Sequence, residues 1–334
     1  MLVRADLNVP LEDGRVADDT RIDASLPTLR LLLARNAAQV RVCSHLGRPK
    51  GPDPAFSMQP VRERLRELLD DERVEVLENT RFNAGETKND PEFARELADG
   101  SELFVEDAFG SVHRAHASTV GVAELLPAYA GRLLEQELEQ LGKLLGDVEG
   151  PFVLVSGGAK VEDKLGVLRN LGGKADTVLI GGKMAEELRT EKAAHFRLEN
   201  VVVPVDVVAA AAFELDAETK TVSVDSIPDG WIGLDIGPRT RERFTAELAH
   251  AKTIFWNGPM GVFEWPRFAE GTKAVAEAVA AAEAFSVVGG ADSIRALNQL
   301  GLTDEVSWAS TGGGAALELL EGKELPGVAV IPAA

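Results

Sequence analysis

Short apolar, β-branched runs recur along the chain, each followed by a polar or Gly-rich turn and then by apolar residues spaced three or four apart. Runs at 2–5, 40–44, 74–77 and 103–106, and again at 152–156, 178–180, 201–203, 253–256 and 285–288, predict strands. Helical spacing at 26–35, 61–69 and 268–282 predicts crossover helices between them. Strands that alternate with crossover helices specify a parallel sheet covered on both faces, so the pattern predicts an α/β protein of two doubly wound, Rossmann-like lobes. Leu134, Leu138, Leu141 and Leu145 share one face of a helix over 132–145, which a Gly/Asp/Pro turn ends at 146–151. This helix is the expected connector. The predicted organisation is a first lobe over 1–132, connector and hinge over 133–150, a second lobe over 151–320, and a tail over 321–334 that returns to the first lobe.

Length agrees with two lobes, because 334 residues exceed what one hydrophobic core usually fills. No apolar run approaches the roughly 18 to 20 residues of a membrane helix, and Arg4 and Asp6 interrupt any signal-like stretch at the start, so a soluble protein is expected. A single cysteine, Cys43, cannot form an internal disulfide; it is expected to be a buried core thiol in a reducing cytoplasm. Fifty-four acidic against thirty-five basic residues leave a net charge of −19, which disfavours nucleic acid and anionic membranes as partners. A site for an anionic metabolite must therefore gather cations locally, against the overall field.

In open α/β sheets ligands bind beyond the carboxyl ends of the strands. In the first lobe those positions carry Asp6 and Asn8, His45 and Arg48, Arg81, and Arg114, while Arg21 stands at the head of a helix. Guanidinium groups pair bidentately with phosphate or carboxylate and stay charged. Taken singly, each arginine reads more simply as half of a surface ion pair. Arg21 is the exception, since a cation at a helix start opposes the helix dipole. Together they predict a receptor for a small, multiply anionic substrate, with His113 and His116 left as packing groups.

The second lobe ends its strands in glycines: Gly157-Gly158-Ala159-Lys160, Gly181-Gly182, Asn257-Gly258-Pro259-Met260-Gly261, Gly289-Gly290-Ala291-Asp292-Ser293 and Thr311-Gly312-Gly313-Gly314. One such pair reads as a tight turn; five at one sheet edge predict a nucleotide lobe, where backbone amides approach phosphate. There is no G-x-x-x-x-G-K-[ST], G-x-G-x-x-G, H-E-x-x-H, C-x-x-C or G-x-S-x-G, so P-loop, dehydrogenase, zinc-hydrolase and serine-hydrolase readings lack their parts. Lys160 and Lys164 stand four apart and are expected on one helical face, both aimed at the same phosphates. Asp292 is placed either to meet Mg²⁺ or to cap the following helix.

The blocks Arg-Ala-Asp-Leu-Asn-Val-Pro (4–10), Ser-His-Leu-Gly-Arg-Pro (44–49), Asp-Ala-Phe-Gly-Ser-Val-His-Arg-Ala-His-Ala-Ser (107–118), Gly-Gly-Ala-Lys-Val (157–161), Gly-Leu-Asp-Ile-Gly-Pro (233–238), Trp-Asn-Gly-Pro-Met-Gly-Val-Phe-Glu (256–264) and Ser-Thr-Gly-Gly-Gly-Ala (310–315) resemble the phosphoglycerate kinase family over nearly the whole chain. The resemblance implies that family's fold, and reversible, Mg²⁺-dependent transfer of the acyl phosphate of 1,3-bisphosphoglycerate to ADP, giving ATP and 3-phosphoglycerate in a monomer. It implies a phosphoglycerate side of Asp6, Asn8, Arg21, His45, Arg48, Arg81 and Arg114. It implies a nucleotide side of Gly157, Gly158, Lys160, Lys164, Gly233, Asn257, Glu264, Gly290, Ala291, Asp292 and Ser293, with Gly312, Gly313 and Gly314 near the transferring phosphoryl. Glu264 resembles the ribose-binding carboxylate and Asp292 the magnesium-associated one. Because this chemistry needs alignment and charge cancellation but no protein nucleophile, Arg21 and Lys164 are expected to stabilise the transition state, assisted by the Gly290 and Gly313 amides. Separate ligand lobes imply closure about the hinge, which also expels water.

Three departures stand out. The family carries a stretch ahead of the first strand, segments around 70–73 and 188–201 are abbreviated, and Lys183 stands where a small residue is usual. The abbreviations are expected to be residues missing from this sequence rather than natural deletions; they also motivate a second hypothesis, a degenerate homologue that binds nucleotide without turnover.

Overall fold

The computed structural model describes residues 1–189 and 199–332. The chain divides into two compact units, Met1–Glu139 with Lys323–Ala334, and Gln140–Gly322. The first unit contains β1 (Leu2–Arg4), a small hairpin of β2 (Leu11–Glu12) and β3 (Arg15–Val16), β4 (Val40–Cys43), β5 (Val74–Val76), β6 (Phe104–Glu106) and β7 (Ala128–Ala130). Apart from the hairpin these form one parallel sheet of order β5-β4-β1-β6-β7. Alternate residues supply opposite faces: Val3, Val42 and Val105 pack into one apolar cluster, and Leu2, Cys43 and Phe104 into the other. Burial on both faces explains why these strands read as continuous apolar runs. Cys43 is fully buried, as expected.

The crossovers are α1 (Thr20–Ala34), α2 (Gln59–Leu69) and α3 (Pro91–Ala98). Helix α1 begins six residues before the apolar run that signalled it, because its first turns are polar and carry Arg21 and Asp23. Helix α2 ends on Asp70 in a left-handed conformation, and the Arg73 guanidinium folds 2.6 Å from the Asp71 carboxylate, so the abbreviated 70–73 segment closes as a tight turn. Helix α4 (Arg132–Leu145) has the predicted bounds. Its stripe is displaced, however: Leu134, Glu137, Leu141 and Leu144 are buried, whereas Leu138 and Leu145 are half-buried. The division between units falls inside this helix, ahead of the 146–151 turn.

In the second unit follow β8 (Phe152–Ser156), β9 (Thr177–Ile180), β10 (Val201–Val202), β11 (Asp206–Ala210), β12 (Thr219–Ser223), β13 (Ile232–Ile236), β14 (Thr253–Asn257), β15 (Phe285–Gly289) and β16 (Trp308–Ser310). A parallel sheet of order β10-β9-β8-β14-β15-β16 carries the core, with Val153, Val155, Ile254, Trp256 and Val288 buried. Its helices are α5 (Leu165–Asn170), α6 (Gly182–Glu187), α7 (Pro238–Leu248), α8 (Glu270–Ala281), α9 (Ala291–Leu300) and α10 (Gly314–Leu320). A separate antiparallel sheet, β12-β11-β13, was not expected. Its middle member is apolar, but β12 reads Thr-Lys-Thr-Val-Ser and lies half-buried to exposed, so it leaves no apolar run in the sequence. The last helix, α11 (Pro326–Ala329), belongs to the first unit, where the Gly327 N–H donates to the Val112 carbonyl at 2.9 Å. Among the described residues no helix is long and apolar enough to cross a membrane. Most of the abbreviated 188–201 segment lies outside the described residues.

Candidate active site

In the first unit the strand order reverses between β1 and β6, which is where an open α/β sheet offers a crevice. Asp6 and Asn8 leave β1, His45 and Arg48 leave β4, Arg81 occupies the turn after β5, and Arg114 follows β6. From the first turn of α1, Arg21 donates through Nη1 to Asp6 Oδ2. Burial pushes the Asp6 carboxyl up, but the Arg21 and Arg4 charges outweigh it and hold the group below its ordinary range. Asn8 Oδ1 accepts the Gly47 N–H at 2.8 Å, and Arg81 Nη1 donates to the Gly47 carbonyl at 2.5 Å, which fixes the turn that presents Arg48. Arg81 is lowered by burial and then by the like charges of Arg114, Arg4 and Arg48, with only Glu86 offsetting them appreciably. Its Nε is buried with no hydrogen-bond partner among the described residues. A buried guanidinium lowered by like-charged neighbours is a position that an anion would relieve.

Sequence reasoning missed the residue beneath this cluster. Arg4, the last residue of β1, is wholly buried; Nε donates to Ser118 Oγ at 2.8 Å and Nη2 lies 3.0 Å from His45 Nδ1. A guanidinium has no acceptor, so Nδ1 must hold the lone pair, leaving His45 neutral with its proton on Nε2. Burial and then the Arg4 charge push His45 down to about 3. Glu86 completes the network: Ser118 Oγ donates to it at 2.6 Å and His116 Nδ1 lies 3.7 Å away. Burial would raise Glu86, but His116, Arg4 and Ser118 bring it down to about 2. The available signal was a charged residue inside an apolar strand.

Two further buried acids flank the site. Glu106 ends β6, accepts the Ala108 N–H at 2.9 Å, and is raised by burial to about 8 despite Arg4. Asp107 accepts the Leu133 N–H at 2.9 Å at the start of α4 and is raised by burial to about 7.

In the second unit the strand order reverses between β8, which Gly157 follows, and β14, which ends in Asn257. A Cβ on Gly157 would stand 2.1 Å from the Pro259 carbonyl oxygen, and one on Gly258 would stand 2.2 Å from that of Gly157. These glycines are required for the two loops to touch, the tight-packing role that the sequence reading set aside. Asn257 is different. It is 2% exposed, and neither amide atom has a hydrogen-bond partner among the described residues. Above it sits Gly290 at φ 90°, the N-cap of α9, where a Cβ would stand 2.8 Å from Asn257 Nδ2. The Asn257 Nδ2 hydrogens and the helix N-terminus beside them are donors of the kind that can meet an anion.

Ala291, Asp292 and Ser293 form the first turn of α9. Ser293 is wholly buried and its Oγ accepts the Gly258 N–H at 2.7 Å, tying the β14 loop to α9. Asp292 is not the cap, since Gly290 holds that position and no side chain caps the helix. Lys164 is pushed down to about 8 by burial, against the charges of Asp163 and Asp292. Lys160 does not share a helical face with it: it lies exposed ahead of a 3₁₀ turn, Glu162–Lys164, and α5 starts only at Leu165. The Val161 N–H instead pairs with Glu187 at 3.1 Å, which holds the segment in a loop. Glu264 meets the Arg295 guanidinium at 2.6 Å. Gly233 lies within β13, and Gly312 and Gly313 precede α10, which starts at Gly314. Lys183, in α6, is exposed. An exposed aromatic pair was also missed: Phe213, 60% exposed, packs on Trp265 with ring centroids 4.8 Å apart. No cluster of three metal-ligating side chains occurs among the described residues. Asp292 nevertheless fits Mg²⁺, which takes one or two carboxylates and completes its shell with phosphates and water.

Comparison with known proteins identifies the family. A model of the family described as "Phosphoglycerate kinase" matches residues 1–76, 69–195 and 189–323. The joins, at 69–76 and 189–195, coincide with the two abbreviated internal segments. Phosphoglycerate kinases of Rubrobacter xylanophilus and Thermus thermophilus are 53% and 50% identical, each over 99% of this chain and 95% and 96% of the relative. Both alignments run to 376 positions against 334 residues, so the relatives carry residues with no counterpart here. Among solved structures, phosphoglycerate kinase from Coxiella burnetii has a TM-score of 0.87 at 37% identity and that from Pyrococcus horikoshii 0.84 at 32%, each covering 99% of this chain and 95% of the other.

Proposed function

The chain belongs to the phosphoglycerate kinase family, whose activity is phosphoryl transfer with an acyl phosphate, and from that premise we propose how its residues divide the work. Asp6, Asn8, Arg21, His45, Arg48, Arg81 and Arg114 bind the phosphoglycerate. The observation that carries this reading is the buried Arg81 Nε, which has no hydrogen-bond partner among the described residues, on a side chain lowered by burial and by the like charges of Arg114, Arg4 and Arg48. Neutral His45 offers Nε2–H as a donor, held in that tautomer by Arg4. Asp6 orients Arg21, which then meets charge developing on the transferred group.

On the nucleotide side, Asn257 and the amides of Gly290 to Ser293 receive phosphate, Lys164 supplies the cation, and Glu264 takes the ribose. Gly157, Gly158, Lys160 and Gly233 border this site, and Gly312, Gly313 and Gly314 stand near the transferring phosphoryl. Asp292 would hold Mg²⁺ together with the nucleotide, and the ion would neutralise charge on the phosphate oxygens. In-line transfer requires the two ligands to meet with water excluded, and hinge bending is the motion we assign to it. A monomer in the cytoplasm completes the proposal, the lone buried thiol Cys43 being suited to a reducing compartment.

No observation favours the degenerate homologue. The test is ATP formation from 1,3-bisphosphoglycerate, ADP and Mg²⁺; a folded, intact preparation that binds ADP without turnover would reverse the choice.

A further inference from the structure

A single guanidinium nitrogen joins the two carboxylates of the nucleotide site. Arg295 Nη2 lies 2.6 Å from Glu264 Oε1 and 3.2 Å from Asp292 Oδ1, and the guanidinium stands 4.7 Å over the buried Phe263 ring. Asp292 and Arg295 are one turn apart on α9, while Glu264 comes from the segment after β14. Arg295 lies outside the blocks that carry the family resemblance. All three charged groups are about half exposed, so the bridge is open to competition from an arriving ligand.

We propose that Arg295 is a positioning residue that sets the magnesium dependence of nucleotide binding, by serving as the resident counter-ion of Asp292 and Glu264. This rests on the reading of Glu264 and Asp292 as nucleotide-site carboxylates. Metal-free ADP brings about three negative charges toward Asp292, and Arg295 reduces the repulsion. Mg·ADP brings its own cation, which takes over the partnership with Asp292 and leaves the guanidinium to Glu264. Arg295 therefore favours the metal-free nucleotide relative to the metal complex and narrows the difference between the two.

The test is the ADP dissociation constant, measured by calorimetry on the full chain with saturating Mg²⁺ and again with EDTA, for the unsubstituted protein, Arg295→Ala and Arg295→Lys. The ratio of the metal-free to the Mg²⁺ constant should rise about threefold or more in Arg295→Ala, the scale of one partly exposed charge contact. Arg295→Lys should stay nearer the original ratio because it keeps the charge. Any general loosening of the site, including a misplaced Glu264, weakens both forms alike and cancels in the ratio. An unchanged or smaller ratio in Arg295→Ala would overturn the role of Arg295 alone. Absence of ADP binding by the unsubstituted protein under both conditions would overturn the nucleotide reading, and this proposal with it.

Discussion

Arg4 Nη2 and His45 Nδ1 lie 3.0 Å apart, both side chains buried, one at the end of β1 and the other just beyond β4. The pairing fixes the imidazole as neutral and its Nε2 as the donor. In a pH titration followed by NMR, the His45 ring is expected to stay neutral from pH 8 down to about 4, consistent with a value of about 3. In the unfolded chain the ring protonates near pH 6.5. The unfolded state therefore binds more protons between those values, and this group's contribution to stability falls as pH drops from about 6.5 toward 3. A His45 midpoint near 6.5 in the folded protein would contradict the assigned pairing.

Arg21, oriented by Asp6, is expected to act on the transition state. Arg21→Ala should lower kcat at least ~100-fold, about 2.7 kcal/mol. If KM alone rises, Arg21 is a binding residue instead.

Lys164 carries its charge in a partly buried position and has a value of about 8. As pH rises through 8 the lysine loses its proton and its attraction for phosphate. ADP affinity of the otherwise empty protein should weaken between pH 7 and 9, and Lys164→Arg should flatten that profile because a guanidinium does not titrate there. Parallel profiles for the two proteins would remove Lys164 from the phosphate site.

Glu106 sits at about 8 and is buried, so it is largely protonated at neutral pH. Unfolded glutamate ionises near 4.3. The folded state holds the extra proton between those values, and this group's contribution declines as pH rises across that window, by at most about 1.4 kcal/mol per pH unit. Thermal melts should show Glu106→Gln losing less stability than the unsubstituted protein between pH 5 and 8. An equal loss would mean that Glu106 is ionised in the fold.

Gly157 and Gly313 were both read as phosphate-cradling glycines, yet a Cβ on the first would strike the Pro259 carbonyl oxygen at 2.1 Å and one on the second would meet nothing within 4 Å. Gly157→Ala should therefore destabilise the fold by at least about 2 kcal/mol, measured by denaturant unfolding. Gly313→Ala, which meets no atom, should cost less, only the backbone strain of φ 53° and ψ −116°, on the order of 1 to 2 kcal/mol. Equal stability losses would refute the distinction.

The two parallel sheets were legible because a strand buried on both faces must be apolar throughout: the runs at 40–44 and 152–156 became β4 and β8. The Arg48, Arg81 and Arg114 positions were legible for a related reason, since the strand ends that hold them can be found from the apolar runs. The β12-β11-β13 sheet was hidden by its exposure, and the first turns of α1 by their polarity. Spacing misled at Lys160, because four residues apart means one face only if the helix already exists there, and α5 begins at Leu165.

By itself the sequence determined the α/β alternation and the residues at the strand ends, because covalent order and burial periodicity suffice for these, and its motifs carried the resemblance to the family. Only the tertiary structure decided which polar groups share a partner: Arg4 under His45, Asn257 under Gly290, Arg295 between Glu264 and Asp292. The physical reason is that charge and hydrogen bonding act over a few ångströms of space, and residues far apart in the chain reach that range only after the sheets have formed.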